Sequence, residues 1–267
     1  MDERPIGVFD SGLGGLTVVK ELLTELPDES IVYFGDTARI PYGTRSREIV
    51  TKYSAQCVRF LLSKGIKMVV IACNTVSSNS LEALKAQFDI PILGVIAPGA
   101  RAAAAATRNG RIGVIGTLGT IRSKAYPNAI REINPDLLVL EEACSLFVPI
   151  VEEGWSNTEM ARLTAERYLK GLKRQKVDTV VLGCTHYPLL GSVISGVMGS
   201  GVTLINPALG AAREAREVLK GRDMLRGSGP DPALSFYVSD FGQGFQQIGS
   251  HFLNREIAAE CVNIEKY

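Results

Sequence analysis

V-V-I-A-C-N-T at residues 69–75 and V-V-L-G-C-T-H at residues 180–186 follow one pattern: an apolar, β-branched run, then a cysteine, then polar residues. They stand 111 positions apart, and a second pair, I-G-V-F-D-S at 6–11 and I-G-V-I-G-T at 112–117, stands 106 apart. The stretches around Tyr33 and Leu140, and around Ile92 and Leu204, fall into the same order. Self-similarity of this kind marks a repeated supersecondary unit. Four strands map onto four strands, so the chain reads as two similar halves, with Cys73 and Cys184 at equivalent positions.

Outward from these runs, short β-branched segments alternate with stretches of helical periodicity, the pattern of a mostly parallel sheet covered on both faces. Strands are expected near 6–10, 31–36, 68–74, 92–95, 111–117, 137–141, 179–184, 202–206 and 234–239. Helices are expected over 16–26, 46–64, 77–88, 100–107, 120–133, 158–172, 189–198, 208–220 and 241–254. The fold class is α/β: two similar domains with mostly parallel sheets, related by pseudo-symmetry, with a cleft between them. The first domain is expected to span 1–97 plus 208–267 and the second 98–207. The turn-prone G-S-G-P-D-P at 227–232 introduces a last strand and helix without counterparts in the repeat, so these are expected to return to the first half.

A chain of 267 residues can bury a core without disulfide or metal staples. Its 29 Lys and Arg nearly balance 28 Asp and Glu, which leaves no general field for nucleic acid or an anionic membrane. The five cysteines are odd in number and dispersed, which fits a reducing compartment better than a secreted disulfide framework. The opening M-D-E-R-P-I-G-V-F-D lacks the apolar stretch of a signal peptide, and no apolar run reaches the ~18 residues of a membrane span. A soluble cytoplasmic protein is expected, with no nucleic-acid or membrane partner.

Cys73 and Cys184 each end an apolar strand and precede a helix, where parallel sheets place their ligands. A lone cysteine there is ordinarily a small buried hydrophobe. Two at matched positions, each followed by polar residues, point to two thiols facing a shared cleft. The D-S-G-L-G-G-L-T run at 10–17 fails as a dinucleotide fingerprint because Thr17 stands where the third glycine would be, and no P-loop motif occurs. A Gly-rich turn remains, whose N–H groups can hold an anion beside Asp10, although Asp10 and Ser11 could equally cap the following helix. In F-G-D-T-A-R-I-P-Y-G at 34–43, Asp36, Tyr42 and Gly43 could contact a small polar ligand or form an ordinary polar loop.

Asn74-Thr75, Gly116-Thr117 and Thr185-His186 repeat the strand-to-helix junction, so the inferred ligand is small and anionic. His186, two positions beyond Cys184, can tune a thiol or share its proton; His251 falls in a late amphipathic segment where a surface role is simpler. Cys73, Cys184 and His186 lack a fourth partner or a C-x-x-C pairing, so no metal is expected. Glu152 and Glu153 adjoin an apolar stretch in V-P-I-V-E-E-G at 148–154, and such a pair is usually solvated.

Two thiols on opposite faces of a tetrahedral carbon can remove a proton from one side and return one to the other, inverting the centre. No lysine stands in a context that signals a pyridoxal site, and no nucleotide motif survives. Cofactor-free proton transfer is what remains.

The motifs GVFDSGLGGLTV (7–18), YFGDTARIPYG (33–43), ACNT (72–75), GVIGT (113–117), LFVPIVEEG (146–154) and LGCTHYPLL (182–190) resemble, in order and spacing, the glutamate racemases. The likeness spans about residues 6–206 and continues more weakly through FYVSDFGQGF at 236–245. This resemblance implies two α/β domains around the active site, no cofactor, a homodimer, and a role in supplying D-glutamate for peptidoglycan. It also implies that Cys73 acts as the base on D-glutamate and Cys184 as the base on L-glutamate. Asp10, His186 and Glu152 would assist them. Substrate contacts would fall on Asp10, Ser11, Tyr42, Gly43, Asn74, Thr75, Thr117, Thr185 and His186. Ala97, Leu118 and Asn206 depart from the commonest residues of the family, which bears on regulation and dimer mode but removes no reacting group. An aspartate racemase of the same superfamily, or a two-lobed amino-acid sensor with inert thiols, are the competing readings.

Overall fold

The computed structural model describes residues 2–227, 231–240, 249–250, 252–253 and 255–267. The first half runs β1 (Ile6–Asp10), α1 (Leu16–Glu25), β2 (Ile31–Gly35), α2 (Arg47–Ser63), β3 (Met68–Ile71), α3 (Asn74–Asn79), α4 (Leu81–Gln87) and β4 (Ile92–Gly94). The second runs α5 (Ile96–Ala106), β5 (Arg111–Gly116), α6 (Leu118–Ser123), α7 (Ala125–Ile133), β6 (Leu138–Ala143), α8 (Phe147–Glu152), α9 (Glu159–Arg174), β7 (Thr179–Gly183), α10 (Gly191–Met198) and β8 (Thr203–Ile205). Then follow α11 (Pro207–Gly221), β9 (Leu234–Val238) and β10 (Ala259–Cys261).

Two parallel sheets result, ordered β10-β9-β2-β1-β3-β4 and β6-β5-β7-β8. The block β2-β1-β3-β4 recurs as β6-β5-β7-β8, so the repeat in the sequence is a repeat in space. β9 adds to the free edge of β2, pairing Ile31 with Leu234 through Gly35 with Val238, and carries the chain back to the first sheet. The central strands β1, β3 and β7 are buried along their whole length, as apolar strands covered by helices on both faces should be.

This strand order positions the chemistry. From β1 the chain moves to one side to form β2, then crosses back to form β3 on the other, so the connections diverge between β1 and β3. Parallel sheets open a crevice at the carboxyl ends of such a pair. Phe9 pairs with Ile71, which puts Asp10-Ser11 and Cys73 on the two lips of that crevice. In the second sheet Gly116 pairs with Gly183, and Thr117 and Cys184 follow side by side.

Several elements differ from the sequence expectation. The strand expected over 68–74 stops at Ile71, so Cys73 lies in the turn and caps α3. The single helix expected over 77–88 is α3 and α4, broken at Ser80, whose hydroxyl is bonded to Thr51 Oγ1 at 2.8 Å. The helix expected over 120–133 is α6 and α7, broken by Lys124 with φ +57°, a left-handed conformation that a lysine adopts at a cost. Helix α8 and strand β10 were not anticipated. The helix expected over 241–254, with His251, lies largely outside the described residues.

Candidate active site

The carboxyl edges of the two sheets face one cavity of about 350 Å³. Its walls include Ser11, Tyr42, Gly43, Cys73, Asn74, Thr75, Thr117, Glu152, Cys184, Thr185 and His186, so eleven of the twelve residues that the family resemblance assigns to the site meet in one place. The twelfth, Asp10, lies fully buried behind Ser11 at the end of β1. A wider surface groove between α9 and α10, about 1030 Å³, contains neither Cys73 nor Cys184.

The two thiols have unlike surroundings. Cys73, almost fully buried, donates to Ser11 Oγ at 3.3 Å. Burial, reinforced by the neighbouring Asp10 charge, pushes its thiol up to about 12, so at neutral pH it carries its proton. Cys184, as deeply buried, lies 3.8 Å from His186 Nδ1, and His186 Nε2 lies 3.2 Å from Glu152 Oε1. Burial alone would lower the imidazole. The hydrogen bonds to Cys184 and Glu152, with their charges, outweigh it and bring His186 up to about 10. One thiol is thus backed by a carboxylate, the other by an imidazolium.

Asp10 shows where the Gly-rich turn spends its donors. Its Oδ2 accepts from the Gly12 N–H at 3.0 Å, so that donor holds the chain's own carboxylate and is not free for a ligand's. Burial nevertheless raises the Asp10 carboxyl above its ordinary value, against the pull of the His186 charge. Gly14 has a different task. A Cβ there would stand 2.4 Å from Thr185 Oγ1 and 2.6 Å from His186 Nδ1, so only glycine lets the first half approach the second at this point.

Hydroxyls and amides join the halves across the cleft. Thr75 Oγ1 and Thr117 Oγ1 are 2.8 Å apart, and the same Thr117 hydroxyl caps α6 through the Thr120 N–H. Capping and bridging are thus combined in one side chain. Tyr126, fully buried on α7, donates to Asn74 Oδ1 at 2.7 Å, and Thr17 donates to the Thr185 carbonyl at 3.3 Å.

Two sequence expectations need correction. Asp36 does not line the cavity; it is fully buried, and its oxygens are taken by Arg39, Tyr42 and Ser239. Glu152 is not simply solvated, because α8 turns it onto His186, whereas Glu153 is exposed. Tyr126 and Gly14 carry contacts that spacing did not reveal. A buried tyrosine needs a partner for its hydroxyl, which was the available signal for the first. Among the described residues, no three His, Cys, Asp or Glu side chains group as a metal site, and no helix is long and apolar enough to cross a membrane.

Two repeated parallel sheets meeting at a cavity with one thiol from each describe a two-domain isomerase of the racemase type. The Asp/Glu/hydantoin racemase family model matches residues 6–215, and the chain belongs to that family. Within it, the glutamate racemase of Geobacter metallireducens is 52% identical over 257 residues, covering 96% of this chain and 95% of that one. The structure of the Francisella tularensis glutamate racemase, solved with D-glutamate, superposes over all of both chains with a TM-score of 0.93 at 39% identity. The Bacillus anthracis glutamate racemase isoform RacE1 gives a TM-score of 0.94 at 40% identity over 98% of each chain.

Proposed function

We propose that this chain interconverts L- and D-glutamate by proton transfer between two thiols and the α carbon, without a cofactor, and so supplies D-glutamate for peptidoglycan. The observation that carries this reading is the convergence of Cys73 and Cys184, from equivalent strand ends of the two halves, on one cavity. Cys184, with His186 and Glu152 behind it, takes the α proton of L-glutamate, while Cys73, which rests protonated, delivers its own to the opposite face. The D enantiomer reverses the roles, and Asp10 stands beside Cys73 to receive charge or proton. Ser11, Tyr42, Gly43, Asn74, Thr75, Thr117, Thr185 and His186 hold the substrate. Among the described residues no Lys or Arg lines the walls, and the substrate's carboxylates are met by hydroxyls, amides, backbone N–H groups and the His186 cation.

The same reading divides the chain into residues 1–97 plus 208–267 and residues 98–207, a boundary in the first turn of α5. It places the protein in the cytoplasm as a homodimer. Family membership and the five unpaired cysteines support these assignments.

The direct test incubates the protein with L-glutamate, then L-aspartate, in deuterated water without pyridoxal phosphate or metal. Optical activity and label at the α carbon are followed together. Loss of rotation with label incorporation is expected for glutamate. Label without inversion, or inversion of aspartate alone, sinks the proposal.

A pH prediction follows from His186. Its folded value of about 10 lies above the free imidazole's 6.5. The stabilisation from keeping it charged is therefore complete below pH 6.5 and is lost as pH rises through about 10. Glu152→Gln removes one of the raising partners, so the alkaline limb of the kcat/KM profile should move toward neutral pH, with a loss on the order of tenfold at its alkaline end. An unmoved limb separates Glu152 from the chemistry.

A further inference from the structure

Asp36 directly follows β2 and does not line the cleft, yet three side chains converge on its carboxylate. Its Oδ2 accepts from Arg39 Nε at 2.7 Å and from the Tyr42 hydroxyl, and its Oδ1 accepts from the Ser239 hydroxyl at 2.8 Å. No part of Asp36 is exposed. Between it and the cavity lies the segment Ile40 to Thr44, every residue of which lines the wall. The Tyr42 hydroxyl, committed to Asp36, reaches back from that wall. Arg39 continues the network to Gln56 Oε1 at 2.6 Å and stacks over the Tyr53 ring at 4.2 Å.

The second strand of support comes from the end of the chain. Ser239 follows β9, the strand that returns to the first sheet. Its Oγ donates to Asp36 and accepts from the Ala38 N–H at 2.9 Å, while the Asp240 N–H donates to Thr37 Oγ1 at 3.0 Å. The C-terminal return, which has no counterpart in the repeat, thus fastens the one wall segment that leaves the β2 end for the cleft.

We propose that Asp36 is a positioning residue: with Ser239 it anchors the Tyr42-Gly43 wall, so that the C-terminal segment of the first half fixes substrate affinity without touching substrate. A carboxylate suits this place because both its oxygens accept, and three donors converge on them. An asparagine would turn an N–H₂ toward one of them. On the racemase reading the wall holds substrate without supplying a reacting group, so its contacts count equally in ground and transition states. Its loosening therefore appears in KM and leaves kcat.

This inference rests on the racemase reading for its kinetic test, and a second readout is independent of it. Steady-state rates with both enantiomers are measured for wild type, Asp36→Asn, Tyr42→Phe, Ser239→Ala and the Asp36→Asn/Tyr42→Phe double variant. We expect KM for both enantiomers to rise about tenfold in the first two and about threefold in Ser239→Ala, with kcat within about threefold throughout. The double variant should be no worse than the poorer single one, because both remove the same contact. Limited trypsin cleavage after the exposed Arg45 should be at least about fivefold faster in Asp36→Asn and Tyr42→Phe.

KM within twofold of wild type, a fall in kcat at constant KM, or multiplicative effects in the double variant would overturn the anchor. If Asp36→Asn does not fold, Tyr42→Phe and Ser239→Ala decide by the same criteria. If wild type does not turn over glutamate, the proposed function fails, and the trypsin rates alone judge the anchor: faster cleavage sustains it and an unchanged rate removes it.

Discussion

Alanine at either Cys73 or Cys184 should abolish racemisation in both directions, with kcat/KM falling by at least about a thousandfold. Each direction needs a base on one face of the α carbon and an acid on the other, and general acid–base groups contribute about 10² to 10⁴ each. Because the pair acts as a unit, removing one sulfur should cost nearly as much as removing both. Isotope exchange separates the two variants. Cys73→Ala keeps Cys184, which can still take the α proton of L-glutamate and return a deuteron to the same face. L-Glutamate should therefore gain label slowly while staying L, and D-glutamate should stay inert. Cys184→Ala should show the mirror behaviour. Racemisation near the wild-type rate in either variant removes the two-thiol assignment.

The second large effect is expected at a residue without a reactive group. In Gly14→Ala the new methyl would overlap Thr185 Oγ1 and His186 Nδ1 at 2.4 and 2.6 Å, both far inside contact distance. Neither neighbour is a flexible chain end. Thr185 and His186 are buried, and His186 is bonded to Glu152. The conflict must be relieved by moving the imidazole or by parting the two halves. A displacement near 1 Å at reacting groups can cost about 10²-fold, so kcat/KM should fall by about that factor in both directions. Overpacking of this kind also destabilises by about 1–3 kcal/mol, readable as a lower denaturation midpoint. Retention of wild-type activity would show that His186 is not held where the chemistry needs it.

Much of this architecture was legible in the chain before folding. The paired V-V-x-x-C runs fixed the duplicated sheet because buried parallel strands require continuous apolar residues, a signal that is local and strong. The site was legible where it lay at strand ends, as with Cys73, Asn74, Cys184 and His186. Legibility failed where a residue's role depends on a distant partner. Ser80 interrupts a helix although no glycine or proline stands beside it, whereas the break at Lys124 had a local signal in Pro127, which has no N–H to give the Ser123 carbonyl four positions back. Asp36 could be read as a ligand contact or as part of a polar loop, and only the residue after β9, two hundred positions later, shows that Ser239 claims it. Glu152 owes its place to the resemblance and not to its own neighbourhood, since a Glu-Glu pair after an apolar run says nothing about the imidazole it will meet.

The unlike neighbours of the two sulfurs have a consequence for rates. Mirror-image solutes have equal free energies in achiral water, so the reaction must come to rest at a one-to-one mixture whatever the lining of the cavity. Thermodynamics then obliges kcat/KM to be identical from either side. A carboxylate behind one sulfur and an imidazolium behind the other cannot make this catalyst favour a product. They can only apportion each direction between tight holding and fast turnover, so the enantiomer that saturates at lower concentration must also be the one converted more slowly.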